Sequence, residues 1–423
     1  MNQRAIVHRA RAALPAGGFG NFDPSIFIRE GRGARVWDED GNEYVDLLIG
    51  SGPMLLGHGH PEVLEVVHAQ LDRGMTFFAN NELGVRLAEQ IVDDMACAEQ
   101  VRYVTSGGEA DMYAIRAARA FTGRTKVMKF EGGYHGMSAE AQMSLAPTKL
   151  VNFPNAVPDS AGIPASVRDE MLIAPFNDVD FMRGMIAERG SEIACVIVEP
   201  LQRIVPPAPG FLEALREETR KAGIVLIFDE IVTGYRLAYG GAQEAYGVTP
   251  DLCTLGKVIG GGFPLAAVAG RAEIMAHFDK DQVGADGFLM QLGTLAGAPV
   301  ACAAGLKTME VLRRPGAYDR LRAIGRRLMA KTDAALSAEG IPHKVVGDPT
   351  LFEVLFTDGP AKDYRDTLAA DAARQNRYAA LLRERGVFKA PGKTYPCLAL
   401  TEEDLALVEA AIEGAAKALA AEV

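Results

Sequence analysis

A lysine set among glycines carries the strongest chemical signal in the chain. Lys257 stands in the run Asp251-Leu252-Cys253-Thr254-Leu255-Gly256-Lys257-Val258-Ile259-Gly260-Gly261-Gly262, downstream of an apolar stretch that ends in two acids, Ile224-Val225-Leu226-Ile227-Phe228-Asp229-Glu230. An amine in that setting can condense with an aldehyde to a Schiff base and then serve as a general base, provided that desolvation and a nearby cation lower its pKa. Asp229 closes a buried-looking strand, at the end where ligands sit in open α/β sheets. A carboxylate there can keep a pyridine nitrogen protonated, so that the ring draws electrons from the reacting carbon.

Three further segments suit the same chemistry. In Thr105-Ser106-Gly107-Gly108-Glu109-Ala110 a strand ends, glycines turn the chain and a helix begins, so backbone N–H groups can receive a phosphate. In Gly132-Gly133-Tyr134-His135-Gly136 the glycines free the backbone to present Tyr134 face-on to a flat ring. In Val198-Glu199-Pro200 an acid sits where a proline stops strand pairing. Taken singly, these also read as an ordinary strand-to-helix turn, a structural Tyr-His pair and a solvated strand-end acid. Together with Lys257 and Asp229 they fit one cofactor, pyridoxal 5′-phosphate. Competing motifs fail on spacing: Val258 follows Gly256-Lys257 where a P-loop needs Ser or Thr, and His58-Gly59-His60 has no acid or cysteine at ligand spacing, so no metal is expected.

Such residues need a sheet to position them. Strand-like runs at 101–105, 126–130, 193–198, 224–228, 252–255 and 265–269 alternate with helical stretches such as 109–121 and 211–222, the pattern of an α/β domain with a mostly parallel sheet. The chain begins differently, with a hairpin signal around the Asp40-Gly41 turn, and ends in an α+β pattern from about residue 317. At 423 residues it exceeds the length at which one core stops growing, about 250–300 residues, so two units are expected. The reading assigns 53–316 to a large cofactor-binding domain, and 1–52 with 317–423 to a smaller one.

Composition removes other classes. With 48% hydrophobic and 23% charged residues the chain is neither disordered nor fibrous. A net charge of −11 without a basic run argues against nucleic acid as a partner. Five widely spaced cysteines suggest neither a disulfide framework nor a zinc motif, and reduced thiols point to the cytoplasm. No apolar run approaches the ~18 residues of a membrane span, so no membrane partner is expected. The first twenty residues read as an amphipathic lead-in.

At this level of detail the chain resembles the class III aminotransferases, pyridoxal phosphate enzymes of the aspartate aminotransferase fold (fold type I), and among them most of all the glutamate-1-semialdehyde 2,1-aminomutases. The resemblance runs from about residue 33 to 312. It rests on Leu56-Gly57-His58-Gly59-His60-Pro61, Gly132 to Gly136, Val198-Glu199-Pro200, Phe228-Asp229-Glu230-Ile231-Val232-Thr233-Gly234-Tyr235-Arg236, Thr249-Pro250-Asp251 and Thr254 to Gly262. It implies that Lys257 forms the Schiff base, Asp229 partners the pyridinium and Tyr134 stacks on the ring, with Ile231 on the opposite face. It also implies that Ser106, Gly107 and Gly108 hold the phosphate, that Glu199 helps hold the site's hydrogen bonds, and that Thr294 reaches a phosphate across the interface of a homodimer with shared sites.

The departures bear on substrate. Gly108 replaces the usual Ser or Thr, removing one hydroxyl bond to the phosphate, on the order of 1–3 kcal/mol. The aminomutases' N-terminal Asn-Ser-Pro-Val-Arg arginine is missing from Phe19-Gly20-Asn21-Phe22-Asp23-Pro24-Ser25, and their C-terminal Phe-Glu-x-Gly acid is missing from Pro391-Gly392-Lys393-Thr394-Tyr395-Pro396-Cys397-Leu398. An aminomutase must retain its diamine intermediate, so these losses favour a ping-pong aminotransferase that moves an amino group from an amino acid or amine to a keto or aldehyde acceptor. The alternative is an aminomutase-type isomerase. Substrate contacts are sought at Phe22, Lys393, Tyr395 and above all Arg203, which suits a carboxylate but also reads as a surface arginine after a strand.

Overall fold

Seven strands form the central sheet of the computed structural model, which describes residues 3–422. In chain order the strands of the protein are β1 (Ile28–Arg32), β2 (Arg35–Asp38), β3 (Glu43–Asp46), β4 (Gln100–Val104), β5 (Lys126–Phe130), β6 (Met171–Ala174) and β7 (Ile193–Val198). They continue with β8 (Val225–Glu230), β9 (Leu252–Leu255), β10 (Ala266–Gly270), β11 (Lys344–Asp348), β12 (Leu351–Leu355) and β13 (Val387–Phe388). Two units divide the chain: one takes residues up to Pro61, Gly316–Gly359 and everything from Ala369, the other Glu62–Pro315 with Pro360–Leu368.

The second unit holds the large sheet, ordered β4-β10-β9-β8-β7-β5-β6. Neighbours from β9 to β6 run parallel, while β10 is antiparallel to both β9 and β4. Every residue of β7 and β8 is buried, as expected for apolar, β-branched strands covered on both faces. The helix Gly107–Thr122 presents Ala110, Ala114, Ala117 and Ala118 to the core, where small side chains permit close packing on the sheet beside Val104, Ile197, Ile227 and Val268. On the helix Phe211–Ala222, Phe211 stacks edge-on with Phe130 and Phe176 at 5.4 and 5.0 Å. Strand β6 was not expected from sequence: four apolar residues after a six-residue helix give too short a periodic signal.

One arginine ties several connections together. Arg124 Nη1 approaches the carbonyls of Gly190, Ile193, Ala222 and Gly223 at 3.0–3.2 Å, answering oxygens left open at two helix ends. The segment 360–368 is held in this unit by Arg365, whose guanidinium makes two bonds to the buried Glu131 carboxylate at 2.7 and 3.1 Å.

In the other unit, β1, β2 and β3 form an antiparallel meander and β13 adds parallel to β3. The β2–β3 turn is the expected Asp-Gly turn, with Asp38 accepting from the backbone N–H groups of Asp40 and Asn42. Long helices Ala317–Ala338 and Glu402–Ala421 are bridged by Arg327, bidentate on Glu409 at 2.6 and 3.0 Å. His58 pairs with Asp46 at 2.7 Å. All five cysteines are free and buried. Among the described residues no helix is long and apolar enough to cross a membrane.

Candidate active site

The end of β8 gathers the buried polar groups. Asp229 is paired in register with Thr254 of β9. Its Oδ2 lies 2.7 Å from His135 Nδ1, and its Oδ1 accepts from the Ile231 N–H at 3.1 Å. The Thr254 hydroxyl donates to Asp111 Oδ1 at 2.6 Å and stands 3.5 Å from Asp229 Oδ1. Asp111, His135 and Asp229 thus bring side-chain atoms within 4.8 Å of one another. Burial, with Asp229 next, pushes the Asp111 carboxyl well above its usual range and favours its neutral form. Among the described residues neither acid forms a salt bridge with a lysine or arginine, and His135 Nε2 is buried without a hydrogen-bond partner. Buried acid of this kind calls for a cation.

Lys257 lies three residues beyond Thr254, at the start of the short helical turn Lys257–Gly260, and is half-buried. Its φ of +47° is left-handed, which costs a residue with a Cβ about 1–2 kcal/mol. Ile231 locks this turn to the rest of the site. A Cβ on Gly256 would meet Ile231 Cδ1 at 3.1 Å, and one on Gly107 would meet Ile231 Cγ2 at 3.0 Å. The end of β8, the lysine turn and the glycine-rich helix start therefore meet on one isoleucine.

At that helix start the Ser106 side chain is engaged in capping. It accepts from the Glu109 N–H at 3.3 Å, while Glu109 Oε2 accepts from the N–H groups of Thr105 and Ser106 at 2.9 and 3.0 Å. Gly107 and Gly108 follow as the first helical residues, whose N–H groups lack intrahelical acceptors and suit an anion. The absence of a side chain at Gly108 has a packing reason: its Cβ would lie 3.2 Å from Gly136 Cα, and a Cβ on Gly136 would fall 2.4 Å from Gly108 Cα.

Glu199, buried just past β7, accepts from the Tyr134 N–H at 2.8 Å and so fixes the loop that carries the ring. Tyr134 is 38% exposed, although the neighbouring His135 is buried. Lys129, fully buried on β5, donates to the Ala141 carbonyl at 2.8 Å; burial lowers its pKa to about 7, against an upward pull from Glu199.

Lys257, Asp229, Ile231, Tyr134, Glu199 and the Ser106–Gly108 loop are thus placed by neighbouring elements of one unit. Thr294 is exposed and lines a separate cleft of about 420 Å³ with Phe77, Phe78, Tyr103 and Leu292. Phe22, Lys393 and Tyr395 belong to the other unit, where Phe22 packs on Phe388 at 5.1 Å and the buried Tyr395 donates its N–H to the Leu47 carbonyl. Sequence reasoning overlooked His135, Asp111 and Thr254 as partners of Asp229. Asp111 left a signal, an acid on the buried helical stripe with Ala114, Ile115 and Ala118.

A flat cationic ring bearing an anionic arm answers both the buried acids and the helix start, and with this sheet it defines a pyridoxal phosphate enzyme of fold type I. Comparison with known proteins narrows the class. The family model described as Aminotransferase class-III matches residues 20–415, and the chain belongs to that family. It is similar to a solved ω-transaminase from Sphaerobacter thermophilus, at 35% identity and a TM-score of 0.92 over 99% of this chain and 97% of that one. A β-phenylalanine aminotransferase from Variovorax paradoxus aligns at 31% identity and a TM-score of 0.84, over 97% of this chain and 92% of that one. A glutamate-1-semialdehyde aminomutase from Pseudomonas aeruginosa aligns at 27% identity and a TM-score of 0.87, over 99% and 94%. The chain is a pyridoxal phosphate-dependent transaminase, a reading these likenesses support better than that of an aminomutase.

Proposed function

We propose that the protein moves an amino group between an amino donor and a keto or aldehyde acceptor by a ping-pong cycle in which Lys257 is the covalent anchor and proton carrier. When bound, pyridoxal phosphate supplies an aldehyde that links to amines and a ring that withdraws electrons. The N–H groups of Gly107 and Gly108 would hold the phosphate, Tyr134 and Ile231 would flank the ring, and Asp229 would keep the ring nitrogen protonated. His135 fixes the rotamer of Asp229, and Glu199 fixes the Tyr134 loop. The Lys257 amine would serve as the base that takes a proton from the substrate carbon and as the acid that returns it. The observation that carries this reading is the contact of Ile231 with both the Lys257 turn and the phosphate-binding helix start.

The active form in this reading is a homodimer, with Thr294 of a second copy meeting the phosphate. Around the Thr294 cleft Phe78 and Leu292 are 74% and 75% exposed, apolar surface that a second copy would cover. Five free thiols suit the cytoplasm.

Borohydride reduction of protein supplied with pyridoxal phosphate, followed by peptide mapping, tests the assignment. A tag on Lys257 is expected, and a tag elsewhere or none refutes it. Adding one amino donor alone separates the two reaction classes: a transaminase releases a free carbonyl product in equal amount to enzyme, whereas an isomerase releases none.

A further inference from the structure

Arg203 occupies a turn built for another residue. Gln202 and Val205 exchange both backbone hydrogen bonds, at 3.0 and 2.8 Å, which leaves Arg203 and Ile204 as the two central residues of a tight turn after β7. Arg203 takes φ +60° at the first central position, where glycine is the usual occupant. The turn is anchored from within: Leu201, Gln202, Ile204 and Val205 are buried, and Gln202 Nε2 donates to the Glu131 carbonyl at 2.8 Å. Backbone strain of this kind persists only where the surroundings enforce it, and it clusters at binding sites.

The side chain that results is exposed, with its guanidinium 5.3 Å from the centroid of the Tyr134 ring. Among the described residues it makes no hydrogen bond and no salt bridge, although the chain carries 55 acidic residues against 44 basic ones. An arginine held over an aromatic face keeps its planar fork of donors oriented while the fork itself stays available. Tyr134 adjoins His135, whose Nδ1 pairs with Asp229 at 2.7 Å, so the cation stands near the proposed cofactor site and not on a remote surface.

We propose that Arg203 receives the carboxylate of the substrate, and that the enzyme therefore prefers amino acids and oxo acids to amines and aldehydes without a carboxylate. The proposal rests on the transaminase reading above. A guanidinium and a carboxylate pair in a bidentate, charge-assisted fashion, so the contact contributes binding and orients the amino group.

The test compares holoenzyme with the variants Arg203→Gly and Arg203→Lys on matched donors: α-, β- and γ-amino acids, each against the amine lacking its carboxylate. Glycine suits the left-handed turn, so Arg203→Gly retains the fold, and a melting temperature no lower than the parent's verifies this. Expected is a 10- to 100-fold fall in the kcat/KM ratio of the best amino acid to its matched amine, carried mainly by KM, with Arg203→Lys between parent and Arg203→Gly. A ratio unchanged within twofold in Arg203→Gly, or a parent that favours the amine, overturns the proposal while the visible band of the bound cofactor remains. Absence of that band from the parent overturns the transaminase reading itself.

Discussion

His135 Nδ1 lies 2.7 Å from Asp229 Oδ2, and both side chains are buried. The imidazole thus sets the direction in which the carboxylate presents its free electron pairs. Replacing His135 with Phe leaves Asp229 short of one charge-assisted bond, about 1.5–3 kcal/mol. The expected outcome is a 10- to 100-fold loss in kcat/KM together with weaker retention of pyridoxal phosphate on dialysis, while His135→Asn, which can still donate, loses less.

Removal of the Lys257 amine is expected to affect chemistry and not architecture. Lys257→Ala is expected to lose at least ~10³-fold in kcat, as for a nucleophile and base combined in one group. Its far-ultraviolet circular dichroism should match that of the parent, because the turn is held by Ile231 and its neighbours.

Lys129 gives stability a pH signature. Its folded pKa of about 7 lies below the usual 10.5, so below pH 7 the folded state bears the full cost of burying the charge. Between about pH 7 and 10.5 the unfolded chain binds more protons than the folded one, and this residue's contribution to stability rises with pH. Lys129→Met should therefore gain most, relative to the parent, in denaturant melts below pH 7, and its advantage should shrink toward pH 10.

The exposed rim around Thr294 makes a separate prediction. Leu292→Glu puts a charge into surface that is 75% open in one copy. Light scattering is expected to show a shift from dimer to monomer at micromolar protein, with activity falling in parallel and returning as protein concentration rises.

Arg124 Nη1 lies within 3.2 Å of four carbonyls, three at two helix ends and one at the start of β7. Arg124→Met retains the aliphatic stem and removes the donors, with an expected loss of about 2 kcal/mol in unfolding free energy. Calorimetry should then show a fall in melting temperature of roughly 4–8 °C, at 2–4 °C per kcal/mol for a unit of this size.

Much of this was legible in the sequence because local and global signals agreed. The buried strands β7 and β8 were readable as unbroken apolar runs, and Lys257 and Asp229 announced themselves by the company of glycines and a strand end. What was hidden depends on register and on contacts between distant segments. Thr254 matters because β9 sets it beside Asp229, and His135 matters because its loop folds back over the end of β8. Neither pairing leaves a trace in spacing. Gly108 reads as a lost phosphate ligand, and the structure adds a packing reason: a Cβ there would stand 3.2 Å from Gly136 Cα, closer than ordinary contact. Ser106 also caps the helix, its oxygen accepting from the Glu109 N–H, a role its spacing before Glu109 encodes.

The left-handed backbone at Lys257 sets heat resistance and turnover against each other at a single position. With Lys257 in its proposed role, substituting glycine there would relieve the torsion and silence the enzyme in one step, so a screen for thermal endurance alone would drift toward inert protein. Any effort to harden this catalyst against heat should hold that position fixed and work elsewhere.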